Sequence, residues 1–122
     1  MNAERLPQGF LAAGRNAGIK NSKADCGVLI ADAPCVMAAC VTQNRSRASC
    51  TSRVEAVRDR GGPVRAILAV SGNANALTGE AGKEADRSLA AGLADRLGIE
   101  DEEVLTAFTG ILGHRPPVDR ID

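Results

Sequence analysis

The sequence lacks tryptophan and tyrosine, has only two phenylalanines, and contains no long apolar run. A membrane-spanning helix needs roughly 18 consecutive apolar residues, so we expect no transmembrane segment. Neither sign of charge is in excess, since 15 lysines and arginines balance 15 aspartates and glutamates. A neutral chain does not attract nucleic acid or an anionic membrane. The opening residues lack the basic and apolar segments of a secretory signal, so we expect a soluble, cytoplasmic protein.

Alanine takes the place of the missing aromatic side chains. It supplies 21 of the 122 residues, against ten leucines and nine valines. Such a chain packs through small side chains in elements that approach each other closely. A single domain of this size buries only about two thirds of the surface of its unfolded chain. We therefore expect one domain over residues 1–122, with a core completed by another chain or by further sequence.

The cysteines do not have the spacing of a metal site. Cys26, Cys35, Cys40 and Cys50 form no Cys-x-x-Cys pair, and the only histidine, His114, is far away in the sequence. Structural zinc sites usually contain closely spaced pairs, and thiols stay reduced in the cytosol. We expect the cysteines to be small buried hydrophobic residues and predict no metal and no cofactor. A redox or metal-binding module is the alternative.

Apolar runs predict an α+β fold, a mixed sheet with helices packed on it. The opening 25 residues are expected to be extended, with turns at Gly14 and Gly18. Four later runs have the length and composition of strands: 27–31, 35–41, 64–70 and 104–108. A break at residues 32–34 separates the first two, which are close enough to form a hairpin.

Two helices are predicted between these strands, and a third begins after Pro117. Ser52 and Glu55 have the spacing of a capping box, which predicts a helix to about Arg60. Alanines and leucines recur every four positions over residues 80–97 and predict a longer helix that ends at Gly98.

Two predicted strands end in small polar residues that could form a binding site. Ser71–Asn75 follows one strand and Thr109–Gly110 follows the other. Hydroxyl and backbone N–H donors at such positions can hold negative charge on a carbonyl oxygen. An ordinary turn remains the alternative for Thr109–Gly110. The glycine patterns of nucleotide-binding loops and the Gly-x-Ser-x-Gly elbow are absent.

Sequence blocks at these same positions resemble a known family. The blocks are Val70–Gly82 (VSGNANALTGEAG), Thr109–Gly113 with Pro117–Ile121, and the opening Gly9–Gly14, Gly18–Lys20 and Thr42–Arg45. They are similar to those of the ornithine acetyltransferase family, the glutamate N-acetyltransferases of arginine biosynthesis. The similarity extends over nearly the whole chain.

The resemblance implies a precursor that cleaves itself before a threonine, which becomes the N-terminal nucleophile of a second chain. That threonine carries acetyl from N-acetylornithine to glutamate by a ping-pong mechanism. Carried over to this sequence, the Thr109 hydroxyl and the Gly110 N–H form the oxyanion hole. Residues 1–122 then correspond to the N-terminal part of the first (alpha) chain, inactive by itself and part of a hetero-oligomer with the downstream (beta) chain.

A second hypothesis is that the chain is a non-catalytic binding or structural relative, or a truncated remnant, of that family. The two hypotheses differ in whether a downstream segment beginning at a threonine exists.

Overall fold

The computed structural model describes residues 6–121, in which four strands form one sheet in the order β1-β2-β3-β4. The strands are β1 (Phe10–Arg15), β2 (Cys26–Cys35), β3 (Val64–Asn73) and β4 (Val104–Ile111). The β1–β2 and β2–β3 pairs are antiparallel, whereas β3 and β4 are parallel. The helices are α1 (Ser49–Arg60), α2 (Gly79–Leu97) and the short α3 (Val118–Ile121), with a 3-10 turn at Asp101–Glu103. The predicted α+β fold with a mixed sheet is confirmed.

Helix α2 packs on one face of the sheet and connects the parallel strands β3 and β4, which no tight turn could join. One buried cluster consists mainly of alanines: Ala66, Ala90 and Ala94, with Val104. A second cluster consists of branched side chains: Leu68, Val70, Leu89 and Ile121. Ala90 and Val104 have no exposed surface. The alanines let helix and sheet approach closely, as the composition indicates.

A buried polar network joins both long helices to β4. The Asp86 carboxylate of α2 accepts a hydrogen bond from the Thr106 hydroxyl of β4 and lies 3.1 Å from the Arg53 guanidinium of α1. Arg53 also pairs with Asp101 at 2.7 Å. Desolvation lowers the pKa of Arg53, but the hydrogen bonds to the two carboxylates outweigh it and raise the pKa above its ordinary value. Because a buried carboxylate needs its partners, this network fixes α1 and α2 against the sheet.

The opposite face of the sheet stays exposed toward the ends of β3 and β4. In the described residues, this surface is formed by glycines and small side chains. We call it the open face, and its residues are Gly14, Gly27, Ala69, Ala107 and Thr109. At the other end of the same strands, Val57 of α1 packs with Val64 and Leu105. A sheet buries its apolar faces against another layer, so the open face is consistent with a core that is incomplete in this chain.

Several local predictions for the first strands are wrong. The predicted break at residues 32–34 lies inside β2, where the pairing with β3 shifts register between Ile30 and Cys35; proline is tolerated at such irregularities. The hairpin is absent, because residues 36–41 are in no strand. Gly14 is not in a turn, because it lies inside β1 and pairs with Gly27 of β2. The first five residues of the predicted extended opening lie outside the described range.

Within the described residues, the start of α1 is the one helix boundary that departs from its prediction, whereas α2 begins at Gly79 and α3 at Val118, as expected. Helices α1 and α2 end directly before Gly61 and Gly98, as expected. The capping-box prediction is wrong, because α1 begins at Ser49, whose N–H donates to the Asn75 carbonyl at 3.4 Å. A contact from a distant loop therefore sets the helix start. No helix within residues 6–121 has both the length and the apolar character that crossing a membrane requires.

Replacing Thr106 by valine tests the buried network. The variant keeps the side-chain shape but removes the hydroxyl that donates to Asp86. We expect the free energy of unfolding, measured by urea denaturation, to fall by about 1–3 kcal/mol because a buried acceptor loses its partner. The control Arg87→Gln breaks only the exposed Arg87–Glu84 pair and should cost less than about 1 kcal/mol. Equal losses in the two variants would contradict a structural role for the network.

Candidate functional site

The two predicted site segments lie side by side at the end of the parallel strands. Strand β3 continues to Asn73 and β4 to Ile111, so Ser71 pairs with Thr109 and Gly72 pairs with Gly110. The prediction of separate turns after residues 70 and 108 is therefore wrong. Parallel pairing, which is non-local, extends both strands through sequences that have the composition of turns.

Gly72 and Gly110 bring the two strands into very close contact. A Cβ on Gly110 would lie 2.3 Å from the Gly72 carbonyl carbon and 2.6 Å from the Asn73 nitrogen. Gly110 also has a φ of +133°, a conformation that other residues rarely adopt. A Cβ on Gly72 would meet the Ile19 side chain at 2.8 Å. A side chain at position 110 would collide with the β3 backbone, and one at position 72 would collide with Ile19, which explains glycine at both positions.

Thr109 is exposed on the open face, and it lines a cavity of about 330 Å³ together with Ser71 and Ala107. Burial raises the pKa of the Cys50 thiol of α1, and the Phe108 N–H opposes the rise by donating to the sulfur. The Ile111 carbonyl accepts a hydrogen bond from the Ala74 N–H at 3.0 Å, so the backbone of Ile111 faces β3. Because these directions alternate along a strand, the Gly110 N–H faces the outer edge of the sheet. Thr109 and Gly110 are adjacent in the chain, and both are exposed.

The asparagines of the Ser71–Asn75 segment are used inside the fold. The buried Asn73 amide donates to the His114 carbonyl at 2.9 Å. The buried Asn75 amide donates to the Ser49 hydroxyl at 2.7 Å and to the Gly82 carbonyl at 2.8 Å. Asn75 therefore connects the beginnings of α1 and α2. Both side chains support the end of the strand pair through these hydrogen bonds.

Asp25, which the sequence patterns do not single out, organises the loop beside the site. Its side chain is 2% exposed, and its two oxygens accept backbone N–H bonds from Ala17, Ile19 and Lys20 at 2.6–2.8 Å. Burial alone raises the pKa of Asp25, but these hydrogen bonds and the nearby Lys20 charge together lower it below the ordinary value. Asp25 is therefore ionised at neutral pH and holds residues 17–20 in one conformation.

Lys20 is the second residue that sequence reasoning missed. Its ammonium donates to the Ser71 hydroxyl at 2.6 Å, next to Thr109 on the neighbouring strand. Asn16 and Gly18 form a local turn, in which the Gly18 N–H donates to the Asn16 side chain at 2.9 Å. The Asn-x-Gly pattern was a readable turn signal. Nothing local indicates that this turn contacts Ser71, which is 51 residues away.

The histidine and cysteines do not form a site. His114 is exposed, and its role in the site comes only from its backbone carbonyl. The four cysteines are free thiols. Cys50 is buried as expected, but Cys40 is exposed, so the expectation that all are buried residues is wrong. Among the described residues, no cluster of three or more His, Cys, Asp or Glu side chains could hold a metal ion.

Residues 11–122 match the sequence profile of the ArgJ family. The chain belongs to the ArgJ family. It is 46% identical over 120 residues to the arginine biosynthesis bifunctional protein ArgJ of Thermus thermophilus, a match that covers 98% of this chain and 32% of that protein. It is 37% identical over 117 residues to the glutamate N-acetyltransferase of Methanopyrus kandleri, a match that covers 96% of this chain and 29% of that protein. The resemblance seen in the sequence blocks is confirmed.

Solved structures share the fold of this ArgJ-family chain. The crystal structure of ArgJ from Bacillus halodurans has a TM-score of 0.88 at 30% identity, over 93% of this chain and 60% of that one. Ornithine acetyltransferase from Mycobacterium tuberculosis, crystallised with ornithine, has a TM-score of 0.79 at 34% identity, over 94% of this chain and 63% of that one. The chain thus spans about a third of the length of the curated relatives it matches.

Replacing Gly110 by alanine tests the close approach of the strands. The new Cβ would overlap the Gly72 backbone, so β3 and β4 must separate at the site. The control is Gly113→Ala, which also has a positive φ but nothing within 4 Å. We expect Gly113→Ala to lower the free energy of unfolding by roughly 1–2 kcal/mol through backbone strain alone. Gly110→Ala should cost clearly more in the same urea titration; an equal cost would disprove the tight pairing.

Proposed function

We propose that this chain is the N-terminal portion of a glutamate N-acetyltransferase that transfers acetyl from N-acetylornithine to glutamate. Its part in the reaction is the oxyanion hole, formed by the Thr109 hydroxyl and the Gly110 N–H. The observation that carries the proposal is their position on the tightly paired ends of β3 and β4, where Thr109 lines an exposed cavity. The glutamate N-acetyltransferase of Methanopyrus kandleri, to which the chain is similar, supports the reaction.

The proposed reaction proceeds through an acetylated enzyme. A threonine at the start of a downstream chain, released by self-cleavage of the precursor, attacks the acetyl carbonyl carbon of N-acetylornithine. The amine of that threonine takes the hydroxyl proton and passes it to the leaving nitrogen, so that ornithine departs as the C–N bond breaks. The amine of glutamate then attacks the acetyl ester and restores the threonine hydroxyl. Each step creates a negative oxygen, which two fixed donors stabilise.

The open face supports a downstream partner chain. Ala69, Ala107 and Thr109 are exposed there, and Ile111 and Leu112 beyond them are 67% and 56% exposed. Apolar surface next to a candidate site is typical of a protein interface. Under this proposal residues 1–122 form one domain of a cytoplasmic hetero-oligomer, and the chain is inactive without its partner. No cofactor takes part in the transfer from N-acetylornithine.

Thr109→Ala tests the oxyanion role in the enzyme reconstituted with its downstream chain. We expect kcat for acetyl transfer to fall by roughly 10²-fold or more, because one donor to the oxyanion is lost. Thr109→Ser keeps the hydroxyl and should retain most of the activity. Ser88→Ala removes an exposed hydroxyl from α2 and should change nothing. An unchanged kcat in Thr109→Ala would rule out the role.

A further inference from the structure

Lys20 contacts the candidate site through one hydrogen bond whose direction is fixed. An ammonium group has three donors and no acceptor, so Lys20 donates to Ser71 and never the reverse. The Ser71 oxygen therefore uses one lone pair for Lys20, and its own hydroxyl proton is left for another acceptor. Ser71 is the in-register neighbour of Thr109 on the same face of the sheet, and strands of a sheet lie about 4.8 Å apart. The two hydroxyls are not hydrogen-bonded to each other in this structure, so the Ser71 proton is free to turn toward Thr109.

The fold fixes Lys20 in this position. Its backbone N–H donates to the buried Asp25 carboxylate at 2.7 Å, as do the N–H groups of neighbouring residues in the loop. Its aliphatic chain passes over Gly72, where an added Cβ would lie 3.4 Å from the Lys20 Cγ and 3.5 Å from the Cε. Glycine at position 72 thus leaves room for the Ile19 and Lys20 side chains.

No carboxylate competes directly for the ammonium. Within residues 6–121, Lys20 makes no ion pair within 4 Å. The acidic group beside its loop is Asp25, whose oxygens are already occupied by backbone N–H groups and by the Asn16 amide at 3.3 Å. A lysine held against a neutral hydroxyl, and not against a carboxylate, leaves its positive charge available to polarise that hydroxyl.

We propose that Lys20 is a positioning residue that acts through Ser71 on Thr109. Lys20 donates to Ser71 in the structure. During the reaction the Ser71 hydroxyl turns to donate to the Thr109 oxygen, and the Thr109 proton is thereby directed into the cavity, toward the developing oxyanion. The direction of the whole chain of hydrogen bonds follows from the ammonium at its start, and its positive charge strengthens each donor in turn. The inference rests on the proposed oxyanion role of Thr109 and adds two residues, Lys20 and Ser71, to that site.

A double-mutant cycle in the reconstituted enzyme tests the inference. Lys20→Gln should lower kcat roughly tenfold with little change in KM, because the proposed role of Lys20 is to orient Thr109 and not to bind substrate. Lys20→Arg, which keeps a charged donor, should recover much of the loss. Lys23→Gln, an exposed lysine of the same loop, is the matched control and should leave kcat unchanged. In the Thr109→Ala background, Lys20→Gln should have no further effect, because neighbours that act together are not additive.

Other results would overturn the inference. A full tenfold loss from Lys20→Gln in the Thr109→Ala background would mean that Lys20 acts independently of Thr109. An unchanged kcat in Lys20→Gln, or failure of Lys20→Arg to recover activity at normal thermal stability, would also contradict it. If Thr109→Ala alone leaves kcat unchanged, the proposed oxyanion role of Thr109 is wrong. The kcat of this single variant therefore distinguishes a wrong oxyanion role from a wrong role for Lys20.

Discussion

The candidate site depends on the contact between Gly72 and Gly110, where β3 and β4 approach so closely that a side chain at position 110 would collide with the β3 backbone. The contact keeps the strands parallel and in register beyond the part of the sheet that α2 covers. It sets Thr109 beside Ser71 and gives Gly110 a backbone conformation that other residues rarely adopt. Side chains packed around the pair then hold it: Asn73 from within β3, and Ile19 from the loop that Asp25 organises.

The chain buries its α2 face well and its other face poorly. Alanine packing between α2 and the sheet is tight, and the Asp86 network adds directional contacts to it. On the open face, the same small side chains are exposed in the described residues. Small residues permit a second layer to approach closely, and the site faces that side. The surface that leaves the core incomplete is therefore the one on which we propose that the partner chain completes the site.

Part of this structure could be predicted from the sequence because the signals are local. The recurrence of Ala81, Ala85 and Leu89 predicted α2 almost to its ends, and the apolar runs predicted β3 and β4. Their final residues were predicted as turns, because glycine, asparagine and serine favour turns when only near neighbours are considered. The pairing that overrides this preference joins residues about 40 positions apart, and β propensity depends strongly on such a context.

Only part of the candidate site could be predicted from the sequence, for the same reason. Thr109 and Gly110 were found because the surrounding blocks resemble a known family, and their placement next to Ser71 required the structure. Lys20 reaches Ser71 across 51 residues, and Asp25 acts through backbone N–H groups that no side-chain pattern reveals. Residues that position a site from a distance have no sequence signal of their own. Glycines at a crowded contact do indicate, in the sequence, a position at which two backbone segments approach closely.

The most direct measurement is the intact mass of every polypeptide in the purified native protein. If this chain supplies the oxyanion hole of a two-chain acetyltransferase, a second polypeptide that begins with threonine should be present in equal amount. A native protein that consists of the 122-residue polypeptide alone would contradict the account, because the nucleophile that Thr109 and Gly110 are proposed to serve would be missing.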